Sequence, residues 1–187
     1  MKKFTFLIPI YNDWESLKKL LNDINDNIKN IPNAEFSCVI VNDSSTTKSS
    51  KIEIPSKINS IKIINMDKNR GHARCNAFGI KYLSKNSNLD YVILMDGDGE
   101  DKPEELKFLI NKILSEPDIS VVAKRIKRSE GPLFQSLYYI HKYLTFLTTG
   151  KLIDFGNFSC LTKNDLVILS TKASLWSSFS GSFKKYI

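Results

Sequence analysis

The sequence is poor in the residues that build special scaffolds. Its 187 residues include three cysteines, two histidines, eight glycines and six prolines. Cys38, Cys75 and Cys160 are odd in number, widely spaced and form no C-x-x-C. That argues against a disulfide framework or a zinc knuckle and fits a reducing compartment. His72 and His141 are too few and too scattered for a histidine-based metal centre. So little glycine and proline excludes collagen-like or linker character. No stretch reaches the ~18 uncharged apolar residues of a membrane span. The opening MKKFTFLIPI imitates a secretory leader, but its apolar run is short, Pro9 interrupts it and no small-residue cleavage site follows. It reads as a first strand.

What is present is ordinary for a globular chain: 42% hydrophobic and 25% charged residues. The length suits a single domain, residues 1–187, able to bury a core without staples. Lys and Arg number 27 against 20 Asp and Glu, a net charge of +7. The excess suits an anionic partner such as a nucleotide, nucleic acid or phospholipid surface. It equally suits a general bias toward Lys, Asn, Ile and Ser, so charge alone names no partner.

Along the chain, Phe4–Ile10, Phe36–Val41, Ile61–Ile64, Tyr91–Met95 and Ile119–Ala123 read as short apolar strands. Trp14, Leu17, Leu20, Leu21, Ile24 and Ile28 recur at helical spacing, with Asn12 or Asp13 as cap. Gly71 opens a second helix that runs to about Leu83. Pro103, Glu104 and Glu105 open a third, proline where no donor is needed and acids at the positive end of the dipole. Strands alternating with helices imply an α/β fold with a mostly parallel central sheet and helices on both faces. In such sheets ligands bind beyond the carboxyl ends of the strands. The polar clusters fall there: Tyr11–Asp13, Asn42–Ser45, Asp67–Gly71, Asp96–Asp101 and Lys124–Arg128. After Pro132, Leu133, Leu137, Ile140, Leu144 and Leu147 form one helical stripe, with Phe134, Tyr138, Tyr139 and Tyr143 opposite. That second face suits a membrane interface, or burial against another subunit or segment. DFGNFSCLT suggests a last strand and Asn164–Leu169 a short helix, while the tail from Ala173 lacks a clear period.

The chemistry gathers in DGDGED. Asp96 and Asp98 flank Gly97 at the end of a buried strand, and Glu100 follows two residues on. Carboxylates so spaced can face one hard cation, Mg²⁺ or Mn²⁺, which also takes phosphate oxygens and water. A calcium EF-hand fails: its sixth position would be Asp101 instead of glycine, and its twelfth Lys107 instead of glutamate. A response-regulator pocket needs acids after the first strand, where this chain has Pro9–Asn12. A solvated turn remains open, because D-x-D alone is a weak motif.

It does not stand alone. IPIYND, VNDSS, KNRGHARCNAFGI, LMDGDGEDKPEE and VVAKRIKR occur in that order at successive strand ends. Together they resemble the P-x-Y-N-E, D-D-G-S, N-x-G-x-x-x-A-x-N-x-G, D-A-D-x-Q-D-x-P-E and G-S-R-x-x-R patterns of the GT-A glycosyltransferases of family 2. The likeness is nearest the branch of dolichyl-phosphate mannose synthase and bacterial polyprenyl-phosphate glycosyltransferases, and covers roughly residues 4–170. The resemblance implies the GT-A, Rossmann-like fold. It implies that Pro9, Tyr11, Asn12 and Asp13 line the base and ribose pocket, with Asp13 in place of glutamate. Asp43 would accept from the base, with Ser44 replacing a glycine. Arg70 would lie near the diphosphate, and Gly71 and Asn76 match the third motif. Asp96 and Asp98, with Gly97 between them, would hold metal and diphosphate, with Glu100 as an additional metal ligand. Arg125 and Arg128 would pair with phosphates, a task suited to the guanidinium fork. Asp154 is a candidate base in the acceptor region.

The resemblance therefore implies a metal-dependent inverting glycosyltransferase. It would use a UDP- or GDP-sugar and a polyprenyl phosphate or surface glycan, at the cytoplasmic side with peripheral membrane contact. Residues 1–130 would form the nucleotide-sugar half and 131–187 an acceptor side shortened relative to relatives, which continue with an R-x-x-G-x-S-like segment. The alternative is a nucleotide-sugar-binding module without turnover. A nucleotidyltransferase would carry a Gly-rich loop after the first strand, where IPIYNDWES has no glycine. Nucleic-acid binding is disfavoured because the aromatics sit in apolar stripes without basic interleaving.

Overall fold

In a computed structural model of the chain, the described residues are 1–49, 51–124 and 155–187. The central strand is β1 (Lys2–Ile10), buried without a break from Phe4 to Ile10. A strand covered on both faces needs such a continuous apolar run. It pairs in parallel with β2 (Ala34–Asn42) on one side and β4 (Tyr91–Leu94) on the other. Outside β2 lies the parallel edge strand β3 (Ile58–Asn65). Outside β4 comes β6 (Phe155–Thr162), antiparallel, and then β5 (Val121–Lys124). The six-stranded order is β3-β2-β1-β4-β6-β5.

Alternation along β1 divides the core into two layers. Phe4, Phe6, Ile8 and Ile10 face α1 (Trp14–Ile28) and α3 (Leu106–Ser115), against Trp14, Leu17, Leu21, Ile24, Ile110 and Ile113. Leu7 faces α2 (His72–Ser84), α4 (Lys163–Ser170) and α5 (Phe179–Tyr186), against Ile80, Leu83, Leu166, Leu169 and Phe179. Each fully buried aliphatic contributes about 1.5–3 kcal/mol before its ordering entropy. Removing Leu17, the centre of the α1 stripe, would cost about 2–5 kcal/mol.

The α/β reading with helices on both faces holds, with four differences. β3 is longer than Ile61–Ile64, because an edge strand needs no continuous apolar face. The fifth strand begins at Val121, not Ile119, which is 59% exposed. The last strand enters the sheet between β4 and β5 and runs antiparallel, a pairing no local pattern encodes. The tail is ordered: Ser178 caps α5 by accepting the Gly181 N–H at 3.0 Å, and Phe179 and Phe183 bury one turn apart. A serine on the buried face hid this helix from a hydrophobic count: Ser182, 1% exposed, is bonded to Ser174 at 2.7 Å. The expected Leu133–Leu147 helix lies outside the described residues. Among the described residues no helix is long and apolar enough to cross a membrane.

Candidate functional site

Four chain segments leave the carboxyl edge of the sheet side by side. The first follows β1. Asn12 adopts φ +65°, a left-handed conformation that asparagine tolerates better than most residues. Its N–H donates to Ser45 Oγ at 2.8 Å, and its Oδ1 accepts the N–H groups of Thr46 (2.8 Å) and Thr47 (3.0 Å). Asn12 thus knits the loop after β1 to the loop after β2 and is not itself a cleft-lining residue. Asp13 occupies the N-cap position of α1 without a side-chain cap bond, which corrects the expectation that Asn12 or Asp13 caps through its side chain. It lines the cleft instead, with Pro9, Ile10 and the exposed Tyr11.

The second segment follows β2. Asp43 is 3% exposed, and its two oxygens accept the backbone N–H groups of Arg70 and Gly71, each at 2.8 Å. Asn42 donates to Asn65 Oδ1 at 2.9 Å and accepts the Ser45 N–H at 3.0 Å, so its role is to brace the strand ends. Ser44 is held at φ +59°.

The third segment opens α2. Gly71, at φ +86°, turns the chain into the helix. Arg70 gives the site its backbone N–H, while its guanidinium pairs with Asp67 at 2.9 Å. That bond holds the Asp67 carboxyl below its ordinary range. Arg70 does not line the cleft; His72 and Cys75 do. The Cys75 thiol donates to Val41 O at 3.2 Å, and burial pushes it up to about 12.

The fourth segment follows β4. Gly97 is required by close approach: a Cβ there would lie 2.8 Å from Ile10 Cγ2 and 2.9 Å from the backbone oxygen of Pro9. Asp98 is exposed and accepts the Glu100 N–H at 2.9 Å. Asp101, 7% exposed, accepts the Asp96 N–H at 2.8 Å and so closes the DGDGED turn from beneath.

These segments meet around Asp96. His72 Nε2 lies 3.1 Å from Asp96 Oδ1, and the Asn157 amide nitrogen lies 3.2 and 3.4 Å from the two Asp96 oxygens. The same Nε2 is 2.8 Å from Asn157 Nδ2 and 2.9 Å from Asn76 Nδ2. Unprotonated, it accepts from these amides; protonated, it donates to Asp96. The bond to Asp96 raises the His72 pKa above its ordinary value; burial opposes the shift, and the charges of Asp96, Asp98 and Asp101 reinforce it.

The resulting cleft is lined by Pro9, Ile10, Tyr11, Asp13, Asp43, His72, Cys75, Asp96, Gly97 and Asp98. It encloses about 440 Å³ of empty space, part of it open to solvent. Asn12, Ser44, Arg70, Gly71, Asn76 and Glu100 sit around it without lining it. Arg125, Arg128 and Asp154 lie outside the described residues. Asp96 and Asp98 offer the hard oxygens that Mg²⁺ or Mn²⁺ takes. Among the described residues no group of three or more His, Cys, Asp or Glu is arranged to hold a metal ion. Asp96 and Asp98 are the carboxylates of the DGDGED motif that line the cleft; Glu100 does not.

The sequence assigns no individual role to three contributors: His72, Asn157 and Asp101. His72 follows the helix-opening Gly71, a readable signal. Asp101 stands inside the acidic motif. Asn157 carries no local signal, because its place depends on strand order.

Residues 5–171 match the profile of glycosyl transferase family 2. The chain belongs to that family. The undecaprenyl-phosphate 4-deoxy-4-formamido-L-arabinose transferase of Photorhabdus laumondii is 29% identical over 161 residues, 83% of this chain and 47% of that protein. The chain thus spans about half the length of the curated relatives it matches. S. aureus TarS residues 1–349 superpose with a TM-score of 0.63 at 19% identity, covering 98% of this chain and 55% of that one. Glucosyl-3-phosphoglycerate synthase from Mycobacterium tuberculosis, solved with Mn²⁺, UDP-glucose and phosphoglyceric acid, gives a TM-score of 0.58 at 11% identity, covering 87% and 57%. These structures share the GT-A fold with this family 2 chain.

Proposed function

We propose that this family 2 domain is a metal-dependent inverting glycosyltransferase. It takes its donor as a UDP- or GDP-sugar and delivers the sugar to a polyprenyl phosphate or a surface glycan, at the cytoplasmic face of a membrane it touches peripherally. The observation that carries the reading is the cleft that Tyr11, Asp13, Asp43, Asp96 and Asp98 line together from three strand ends. The Mn²⁺ and UDP-glucose bound to the M. tuberculosis neighbour and the lipid-phosphate acceptor named for the Photorhabdus relative support it.

In this reading residues 1–130 hold the donor and 131–187 face the acceptor. The exposed Tyr11 ring offers a face for a base, and Asp13 and Asp43 offer carboxylates to base and ribose donors. Departure of the nucleoside diphosphate places growing negative charge beside Asp96 and Asp98. Those two carboxylates, with Glu100 on the same turn, would hold a divalent cation, which would supply the electrostatic stabilisation that this departure needs. Arg125 and Arg128 are proposed to share the phosphate charge. A lipid phosphate is already an anion and needs no base; a hydroxyl acceptor needs one, for which Asp154 is the candidate.

The test is calorimetric titration with UDP and GDP, each with and without Mn²⁺, on the wild-type chain and Asp98→Ala. Metal-dependent binding of one nucleotide, lost in Asp98→Ala, is expected. Equal binding in both proteins overturns the site. Nucleotide binding with no sugar transfer to a lipid phosphate or glycan identifies a binding module instead.

A further inference from the structure

The register of β6 has a chemical consequence. Leu94 of β4 stands opposite Ser159 of the antiparallel β6. Two residues beyond the end of β4 is Asp96; two residues back along β6 is Asn157. An antiparallel neighbour therefore brings its amino-terminal end to the edge where the parallel strands place their carboxyl ends. The Asn157 amide reaches both Asp96 oxygens, at 3.2 and 3.4 Å, and His72 Nε2 at 2.8 Å. His72 in turn lies 3.1 Å from Asp96 and 2.9 Å from the Asn76 amide. Asn76 is 1% exposed, and its Oδ1 has no hydrogen-bond partner among the described residues. Rotating that amide would present an acceptor to a protonated Nε2.

We propose that Asn157 is a positioning residue: with His72, it fixes the Asp96 carboxylate in the orientation that the donor's phosphate and its cation meet. This rests on the donor-site reading above. The carboxylate sits at the end of a strand only four residues long, on a turn containing two glycines, and needs lateral support to hold one direction. Asp101 fixes its backbone from below; Asn157 and His72 fix its oxygens from the side. Groups behind a cation's direct ligands typically change its affinity about 10- to 100-fold when removed.

The experiment measures Mn²⁺ affinity by water-proton relaxation, with and without UDP or GDP, on wild type, Asn157→Ala and Asn157→Gln. Thermal unfolding is followed on the same samples. The expected result is a loss of about 10-fold or more in Asn157→Ala. Partial recovery is expected in Asn157→Gln, which retains a donor, with melting temperatures close to wild type. An unchanged Mn²⁺ affinity in Asn157→Ala overturns the proposal, as does a loss that only follows a fall in melting temperature. Mn²⁺ binding to wild type with no response to either nucleotide overturns the donor-site reading and leaves the positioning role standing. No Mn²⁺ binding to wild type under any condition overturns both.

Discussion

Asp43 ties the end of β2 to the start of α2 by accepting the Gly71 N–H on one oxygen and the Arg70 N–H on the other, each at 2.8 Å. A buried carboxylate that takes two backbone donors makes two charge-assisted hydrogen bonds. It fixes the point at which α2 begins, and with it the place of His72 in the cleft. Sequence reading assigned Asp43 to the nucleotide base. The structure adds a bracing role, because both oxygens already carry a backbone partner.

Asp43→Asn should therefore destabilise the domain as well as weaken nucleotide binding. The amide keeps one acceptor but sets an NH₂ group against an N–H. Hydrogen bonds to charged groups contribute about 1.5–3 kcal/mol, so a loss of about 2 kcal/mol is expected in urea unfolding. An unchanged midpoint would show that loop 67–71 holds itself.

Ser44 stands where the family pattern has glycine, and it keeps the glycine conformation at φ +59°. A residue bearing a Cβ pays about 1 kcal/mol there. Ser44→Gly should raise stability by about 0.5–1 kcal/mol, the relief being partly offset by the freer unfolded chain. A fall in stability would mean that the serine hydroxyl contributes more than the backbone strain costs.

His72 should titrate above the ordinary imidazole value of 6.5 in metal-free protein, because of its bond to Asp96 and the nearby charges of Asp98 and Asp101. A pKa raised by folding gives stability that is complete below the unfolded value and disappears as pH rises through the folded value. Stability should therefore decline across the window starting near 6.5, and the decline should flatten in Asp96→Asn. Proton–carbon NMR of the His72 ring measures the midpoint; a value at or below 6.5 refutes the pairing.

The residues that sequence made legible are those whose role is local. Phe4–Ile10 announced a buried strand by composition, the α1 stripe by period, and the cleft-lining Asp96, Gly97 and Asp98 by sitting where a buried strand stops. Asn157 was not legible, because its position follows from β6 entering the sheet between β4 and β5, a long-range choice that no window of residues contains. Arg70 shows a second limit: the resemblance places it near a diphosphate, and only the structure shows that Asp67, three residues away, takes the guanidinium. His72 was discounted by counting histidines for a metal site, when its partner is a carboxylate.

Gly97 tests the geometry of the cleft floor most directly. Its missing side chain lets the DGDGED turn lie on the end of β1, where a Cβ would meet the Pro9 backbone oxygen at 2.9 Å and Ile10 Cγ2 at 2.8 Å. The methyl of Ile10 can turn away, but the carbonyl of Pro9 belongs to the central strand. Gly97→Ala should therefore push the turn outward and carry Asp96 and Asp98 with it. Overpacking of this kind costs about 1–3 kcal/mol. Displacement of the two carboxylates should lower Mn²⁺-dependent nucleotide affinity more than stability alone explains. Gly99→Ala is the control. Gly99 lies two residues on at φ +85°, with open space around its Cβ position, so alanine there strains the backbone without a clash. Equal losses of affinity in the two variants would mean that turn conformation, and not contact with β1, sets the site.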